Sequence, residues 1–198
     1  MNALRLSLKL LAATLITVLA LTGALWLWSG SDSSLATLLT RLQRFLPAGQ
    51  TLEAREVQGS LRAGGHIGWL RWQRGELSVE AQDIGIAWTL APLFNKQLRL
   101  SELSVASLKI DDQRSSEKTA PLTPPTDLRL PLTVDVPFKV ASLSWTGATT
   151  LQATELGGHY RFDGQAHALE QGRGLISSGS YQLSGQLQAT APMALALQ

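Results

Sequence analysis

The chain has no cysteine among its 198 residues. That absence excludes disulfides, thiolate nucleophiles and zinc–thiolate sites together, so rigidity must come from packing and hydrogen bonding. Charge is scarce as well. Only 16% of residues are Asp, Glu, Lys or Arg, against about 25% in typical soluble domains. The formal net charge is +2, with the basic residues scattered rather than gathered into an arm, and no nucleic-acid partner is expected. Trp69 and Trp72 beside Arg71 and Arg74 could imitate a base-stacking platform, but they fit an amphipathic strand better. The histidines His66, His159 and His167 have no carboxylate or second histidine at ligand spacing, so no metal and no cofactor is expected. Gly-x-Ser-x-Gly is missing. Gly172-Arg173-Gly174 lacks the Lys-Ser/Thr ending of a phosphate loop. Asp111 and Asp112 open a charged stretch and read as a solvated pair. No catalytic residue emerges, and the expectation is a protein that is not an enzyme.

What is present begins with an uncharged run from Leu10 to Trp28, after Arg5 and Lys9. As a helix it would measure ~28 Å, close to the ~30 Å of a bilayer core. Leu10, Leu11, Leu15, Ile16, Leu19, Leu21 and Leu25 supply the apolar surface. Trp26 and Trp28 fall where an interfacial aromatic belt belongs. The run reads as a transmembrane anchor over residues 10–28, with residues 1–9 cytoplasmic and the rest of the chain exported. A cleaved signal peptide is the competing reading, but its apolar region is about 7–15 residues.

Ser34 is positioned to cap a helix, and residues 34–46 read as a short amphipathic one. Leu35, Leu38, Leu39, Leu42, Phe45 and Leu46 recur at helical spacing, with Arg41 and Arg44 off that face. Pro47 and Gly49 end it. Such a helix either docks on the domain that follows or rests on anionic headgroups.

After Pro47 the period changes to two. In residues 51–110, Leu77, Val79, Ile84, Ile86, Trp88, Leu98, Leu100, Leu103, Val105, Leu108 and Ile110 alternate with polar residues, with one slip before Ile84. Residues 111–127 are rich in proline and charge and read as a linker. In residues 128–198 the alternation resumes through Leu132, Val134, Val136 and Phe138, then Tyr181, Leu183 and Leu187. Pro131 and Pro137 predict two shorter segments there, or an edge strand. Gly-rich turns predict an antiparallel meander. The fold class is therefore mainly β: a transmembrane helix and a short amphipathic helix, then an antiparallel meander. No further helix can cover the apolar face. The sheet either curls into an open trough with a hydrophobic interior or is closed by a second sheet as a sandwich. A trough predicts that a charge at Ile86 or Val105 spares the fold. Met193, Leu195 and Leu197 still alternate at the C-terminus, so the last edge is expected to be incomplete.

The anchor, the short helix, Gly59-Ser60-Leu61, Ile67-Gly68-Trp69-Leu70-Arg71-Trp72 and Leu98-Arg99-Leu100-Ser101-Glu102-Leu103-Ser104-Val105 form a series. Leu108-Lys109-Ile110, the Pro-rich spacer and a second round from Leu128 to Trp145 complete it. The series resembles the N-terminal region of the TamB family, the inner-membrane subunit of the translocation and assembly module. More loosely it resembles the AsmA-like proteins. The resemblance implies a single-pass protein of the bacterial inner membrane, N-terminus cytoplasmic, with a periplasmic β-sheet groove. The implied role is non-catalytic: outer-membrane protein translocation and assembly, and phospholipid transport between membranes. Implied partners are phospholipid acyl chains, held by the groove residues named above, and the outer-membrane barrel subunit TamA, met through residues beyond this chain. A membrane-tethered β-sandwich that binds a protein partner is the alternative.

Overall fold

The computed structural model describes residues 2–114, 127–177 and 179–198, with side chains from Thr14 onward. Helix α1 (Asn2–Ser29) is followed, after a four-residue turn, by α2 (Ser34–Gln43). Among the described residues nine strands follow: β1 (Gln50–Ser60), β2 (Gly64–Arg74), β3 (Leu77–Trp88), β4 (Gln97–Asp112), β5 (Thr133–Thr146), β6 (Leu151–Phe162), β7 (Ala166–Ile176), β8 (Gly179–Gln188) and β9 (Leu195–Leu197). A 3₁₀ turn, Ala91–Asn95, joins β3 to β4.

All nine strands form one sheet in the order β1 to β9, so β1 and β9 are its two edges and the sheet is open. A sandwich requires two packed sheets; among the described residues there is one. The expected antiparallel meander needs one correction: β4 and β5 pair in parallel. Parallel neighbours need a crossover of a dozen or more residues, and residues 113–132 provide that length. The expected linker is also shorter at both ends, because β4 continues through Asp112 and Asp127 bridges to Thr190. Most of it, residues 115–126, lies outside the described residues.

Pro137 does not divide the second round into two segments. Strand β5 runs unbroken from Thr133 to Thr146, with Pro137 opposite His159 on β6. The β4–β5 ladder is interrupted there, between Arg99↔Asp135 and Ser104↔Lys139. The N–H that proline lacks therefore falls where that ladder is already irregular.

The curl has a local cause. Apolar residues three apart, rather than two, face the same side at Ala54/Val57, Leu70/Ile67, Ala81/Ile84, Leu108/Val105, Leu143/Val140 and Ala153/Leu156, and these positions are in register across six strands. Within β1, β3 and β6 the slip occupies a left-handed residue, Glu56 (φ 55), Asp83 (φ 50) and Glu155 (φ 53). Each slip is matched by one skipped residue on the neighbouring strand, so the register is kept while the alternation of faces is interrupted. The aligned slips form a continuous crease across the six strands.

A buried apolar cluster lies beneath α2. Ile67, Ala81 and Ile84 are buried, and Leu39 packs on them with Val57, Leu70, Ile86, Leu103, Val105 and Leu108. Leu35 is buried as well. Two expectations about this helix are corrected. It ends at Gln43 rather than residue 46, because the Pro47 ring would clash with the Gln43 carbonyl. Its cap is Ser33, without a side-chain bond, because the Ser34 hydroxyl is engaged elsewhere. Fully buried, it donates to the Ser31 carbonyl (2.7 Å) and accepts from Leu61 N–H (3.0 Å).

That bond belongs to a joint between the helix–helix turn and the β1–β2 turn. Gly59 N–H donates to Asp32 O (3.0 Å) and Arg62 N–H to Ser29 O (3.1 Å). The Arg62 guanidinium stacks on Trp26 at 4.1 Å and donates to the Trp26 carbonyl, which also accepts from the Ser29 hydroxyl at the end of α1. Trp88 Nε1 holds the same turn through Leu61 O (2.8 Å). Ser34→Ala leaves the Leu61 N–H without its partner. The expected loss is about 1–3 kcal/mol, to be read as a lower denaturation midpoint at unchanged slope.

Candidate functional site

Cross-strand pairing gathers the apolar residues into rows on one face. One row runs Leu52, Trp72, Val79, Ile110, Trp145, Leu151; the next Ala54, Leu70, Ala81, Leu108, Leu143, Ala153, Ile176. A third runs Val57, Ile67, Ile84, Val105, Val140, Leu156. Ile86 pairs with Leu103, Trp88 with Leu100, Leu98 with Val134, Val134 with Phe162 and Val136 with Tyr160. Phe138 lies opposite Gly158, whose missing side chain gives its ring room. Leu77 pairs with Asp112 at the rim, and Leu132 precedes β5 outside any strand. Most of the sequence-derived lining residues thus have apolar cross-strand partners, Leu77 and Leu132 aside.

That face has two parts. Toward the β1 edge, Leu39 of α2 packs on the centre formed by Ile67, Ala81 and Ile84. Over β5–β8 nothing among the described residues lies above its centre. A hollow of about 240 Å³ there is lined by Phe138, Leu156, Leu169, Ile176, Tyr181 and Leu183. A second, of about 190 Å³, is lined by Tyr160, Leu169, Leu183, Leu187, Leu195 and Leu197. Tyr181 and Leu183 are about half exposed, at 49% and 46%. The candidate lining from sequence stopped at Phe138 and missed these residues. Alternation through Tyr181, Leu183 and Leu187 was the available signal, whereas Leu156 and Leu169 are hidden by slips at Glu155 and Gln171, both left-handed.

One rim of the open part is closed by a strap. Leu128 N–H donates to Ala189 O (2.7 Å), and the chain then crosses to β5 at Thr133. The three strand spacings from β8 to β5, ~14 Å, match five extended residues. The Leu128 carbonyl can only accept, so His167 Nε2 carries the proton (3.1 Å), and His167 Nδ1 accepts from the Tyr160 hydroxyl (2.7 Å). Burial pushes the Tyr160 hydroxyl pKa up. Phe162, stacked on His167 at 4.5 Å, is 1% exposed beneath this assembly.

At the end of the strap, Arg129 donates to Asp127 from both side chain (2.6 Å) and backbone (2.8 Å), and these bonds hold the Asp127 carboxyl down to about 2. The folded value lies below the unfolded one, ~3.9. The contribution is therefore complete above that value and is lost as pH falls toward the folded one. The strap is expected to loosen between about pH 4 and pH 2, read as falling hydrogen-exchange protection at Leu128.

The opposite face is polar. Hollows of about 410 and 430 Å³ there are lined in part by Arg99, Asp135, Arg161 and Glu170 and by Glu102, Lys139, His159 and Arg173. Polar contacts there join His159 to Asp135 at 2.5 Å, Arg161 to Glu170 at 3.2 Å and Arg99 to Asp135 at 3.6 Å. Arg55 lies over the Trp69 ring at 4.6 Å. Among the described residues no three His, Cys, Asp or Glu side chains cluster as metal ligands.

The anchor candidates lie on α1. Leu15, Ile16, Leu19, Leu21 and Leu25 are 59–66% exposed, Trp26 49% and Trp28 37%. Leu10 and Leu11 fall on the helix backbone, outside the residues with described side chains. Among the described residues no single helix is long and apolar enough to cross a membrane. The pair Thr14–Ser29 and Ser34–Gln43, bent by 97°, meets that measure together.

A family model described as "TamB, N-terminal domain" matches residues 21–144, from within α1 into β5. Neither the curated proteins nor the solved structures contain a match to the chain.

Proposed function

The chain belongs to the TamB family, and from that premise we propose that it is a non-catalytic trough for phospholipid acyl chains, anchored in the bacterial inner membrane and serving outer-membrane biogenesis. The observation that carries this reading is the apolar face of β5–β8, uncovered among the described residues, with its two hollows lined almost wholly by carbon. In water such a face is unfavourable, and each buried acyl CH₂ recovers about 0.8 kcal/mol. Against a bilayer the balance differs, since lipid tails are as apolar as leucine side chains. A chain moving from bilayer to trough changes its free energy little. That is what reversible transfer requires, and it needs no chemistry. The open edge of the trough leaves a headgroup in water.

In this reading α1 spans the inner membrane. Its 28 residues make about 42 Å of helix, with its leucines and isoleucine turned outward. Arg5 and Lys9 place the N-terminus in the cytoplasm, and β1–β9 stand in the periplasm. Transport of phospholipid, and support of outer-membrane protein assembly, follow as the roles of the extended trough.

The test is to purify the full chain in mild detergent and weigh it by native mass spectrometry. Retained phospholipid is expected. A monodisperse, folded, lipid-free chain would contradict the reading.

A further inference from the structure

Helix α2 does more than pack on the first part of the trough. Only one edge of its apolar arc meets the sheet. Leu35 and Leu39 face inward and are covered. Leu38 lies about 60° round the helix from Leu35, and Leu42 about 60° from Leu39, at 3.6 residues per turn, and Phe45 continues their line beyond the last turn. These three are 37%, 43% and 82% exposed. Arg41 and Arg44 flank them, both exposed, and neither makes an ion pair among the described residues. An apolar stripe bordered by unpaired arginines is the surface that anionic lipid recognises.

The direction of α2 agrees with its chemistry. It is bent 97° from Thr14–Ser29, so when α1 stands along the membrane normal α2 lies close to the membrane plane. The angle is held by the bonds of Ser34, Arg62 and Gly59 between the helix turn and the β1–β2 turn. The four-residue turn leaves α2 no room to sit far from the point where α1 emerges. We infer that α2 is an in-plane helix with two partners: the sheet on Leu35 and Leu39, and the outer headgroup layer of an anionic bilayer on Leu38, Leu42, Phe45, Arg41 and Arg44. The inference rests on the proposed anchor. It adds that the first strand of the trough is held at the lipid surface by α2, not by α1 alone.

The natural lack of cysteine permits single-cysteine labelling of the full chain. An environment-sensitive fluorophore is placed at Phe45→Cys, with Leu19→Cys reporting the anchor. Gln182→Cys on β8 is the distant control, about 34 Å along the sheet from β1. The variants are reconstituted in vesicles of phosphatidylethanolamine with phosphatidylglycerol, and quenching by acyl-brominated lipid and by aqueous iodide is read. Phe45 is exposed, so its label should leave the melting temperature unchanged. The label at 45 is expected to be quenched by lipid several-fold more than that at 182. Iodide access at 45 should rise in Arg41→Gln/Arg44→Gln and in vesicles of phosphatidylcholine alone. A label at 45 as water-exposed as that at 182, with position 19 quenched by lipid, overturns the inference and leaves the anchor standing. If position 19 is not quenched, the anchor reading fails. Lipid quenching at 45 would then support surface contact on its own, and its absence would overturn both.

Discussion

Ile84→Asp is expected to abolish the cooperative thermal unfolding of the sheet. Ile84 is 5% exposed and sits with Ile67 and Ala81 directly beneath Leu39 of α2. Removing the branched side chain from such a site costs about 2–5 kcal/mol. An unpaired carboxylate adds several kcal/mol unless it is protonated. Together these approach or exceed the ~5–15 kcal/mol that holds a typical domain folded. Circular dichroism melts should show a broad, low transition, and α2 should become protease-sensitive because its floor is lost. Ile86 and Val105 are partly buried and pack against the same cluster. The expectation that a charge there spares the fold is therefore replaced: the positions at which a trough interior tolerates charge lie beyond α2.

Leu183→Asp is the complementary case, with the largest expected effect on binding. Leu183 lies opposite Gly172, lines both open hollows and is 46% exposed before any lipid arrives. In the lipid-free protein its carboxylate stays hydrated, so the melting temperature should shift little. An acyl chain laid over it would have to strip that hydration or avoid the site. A penalty of even 3 kcal/mol lowers occupancy by roughly a hundredfold, at 1.36 kcal/mol per decade. Native mass spectrometry of the variant should show a folded chain without retained phospholipid. The contrast between Ile84 and Leu183 separates a packed floor from an open one within a single sheet.

Much of this was legible in the sequence because alternation is a strong signal where one face is apolar. The run Leu77, Val79, then Ile84, Ile86 placed β3 with its slip, and Leu103 to Ile110 placed the face of β4. The slips themselves were harder to place. They fall on Glu56, Asp83, Glu155 and Gln171, none of which is the glycine that usually marks a left-handed position. A one-residue shift exchanges the two faces, so Leu156 and Leu169 could not be assigned to the trough by counting. The parallel β4–β5 pair was equally hidden, because local pattern does not record strand direction. Pro137 misled for a related reason: its missing donor matters only if the neighbouring ladder needs it, and there the ladder is irregular. Ser34 was read as a helix cap from its type and position. Its engagement with Leu61, 27 residues away, is a tertiary contact that no local rule contains.

In the proposed trough the apolar face of β5–β8 meets acyl chains while the opposite face meets water. A photo-reactive amino acid placed at Leu183, and separately at its neighbour Gln182 on the other face, tests this directly in the full chain within native membranes. Crosslinking to phospholipid at 183 and not at 182 is the predicted result. Equal labelling at the two positions, or lipid adducts at 182 alone, would contradict it.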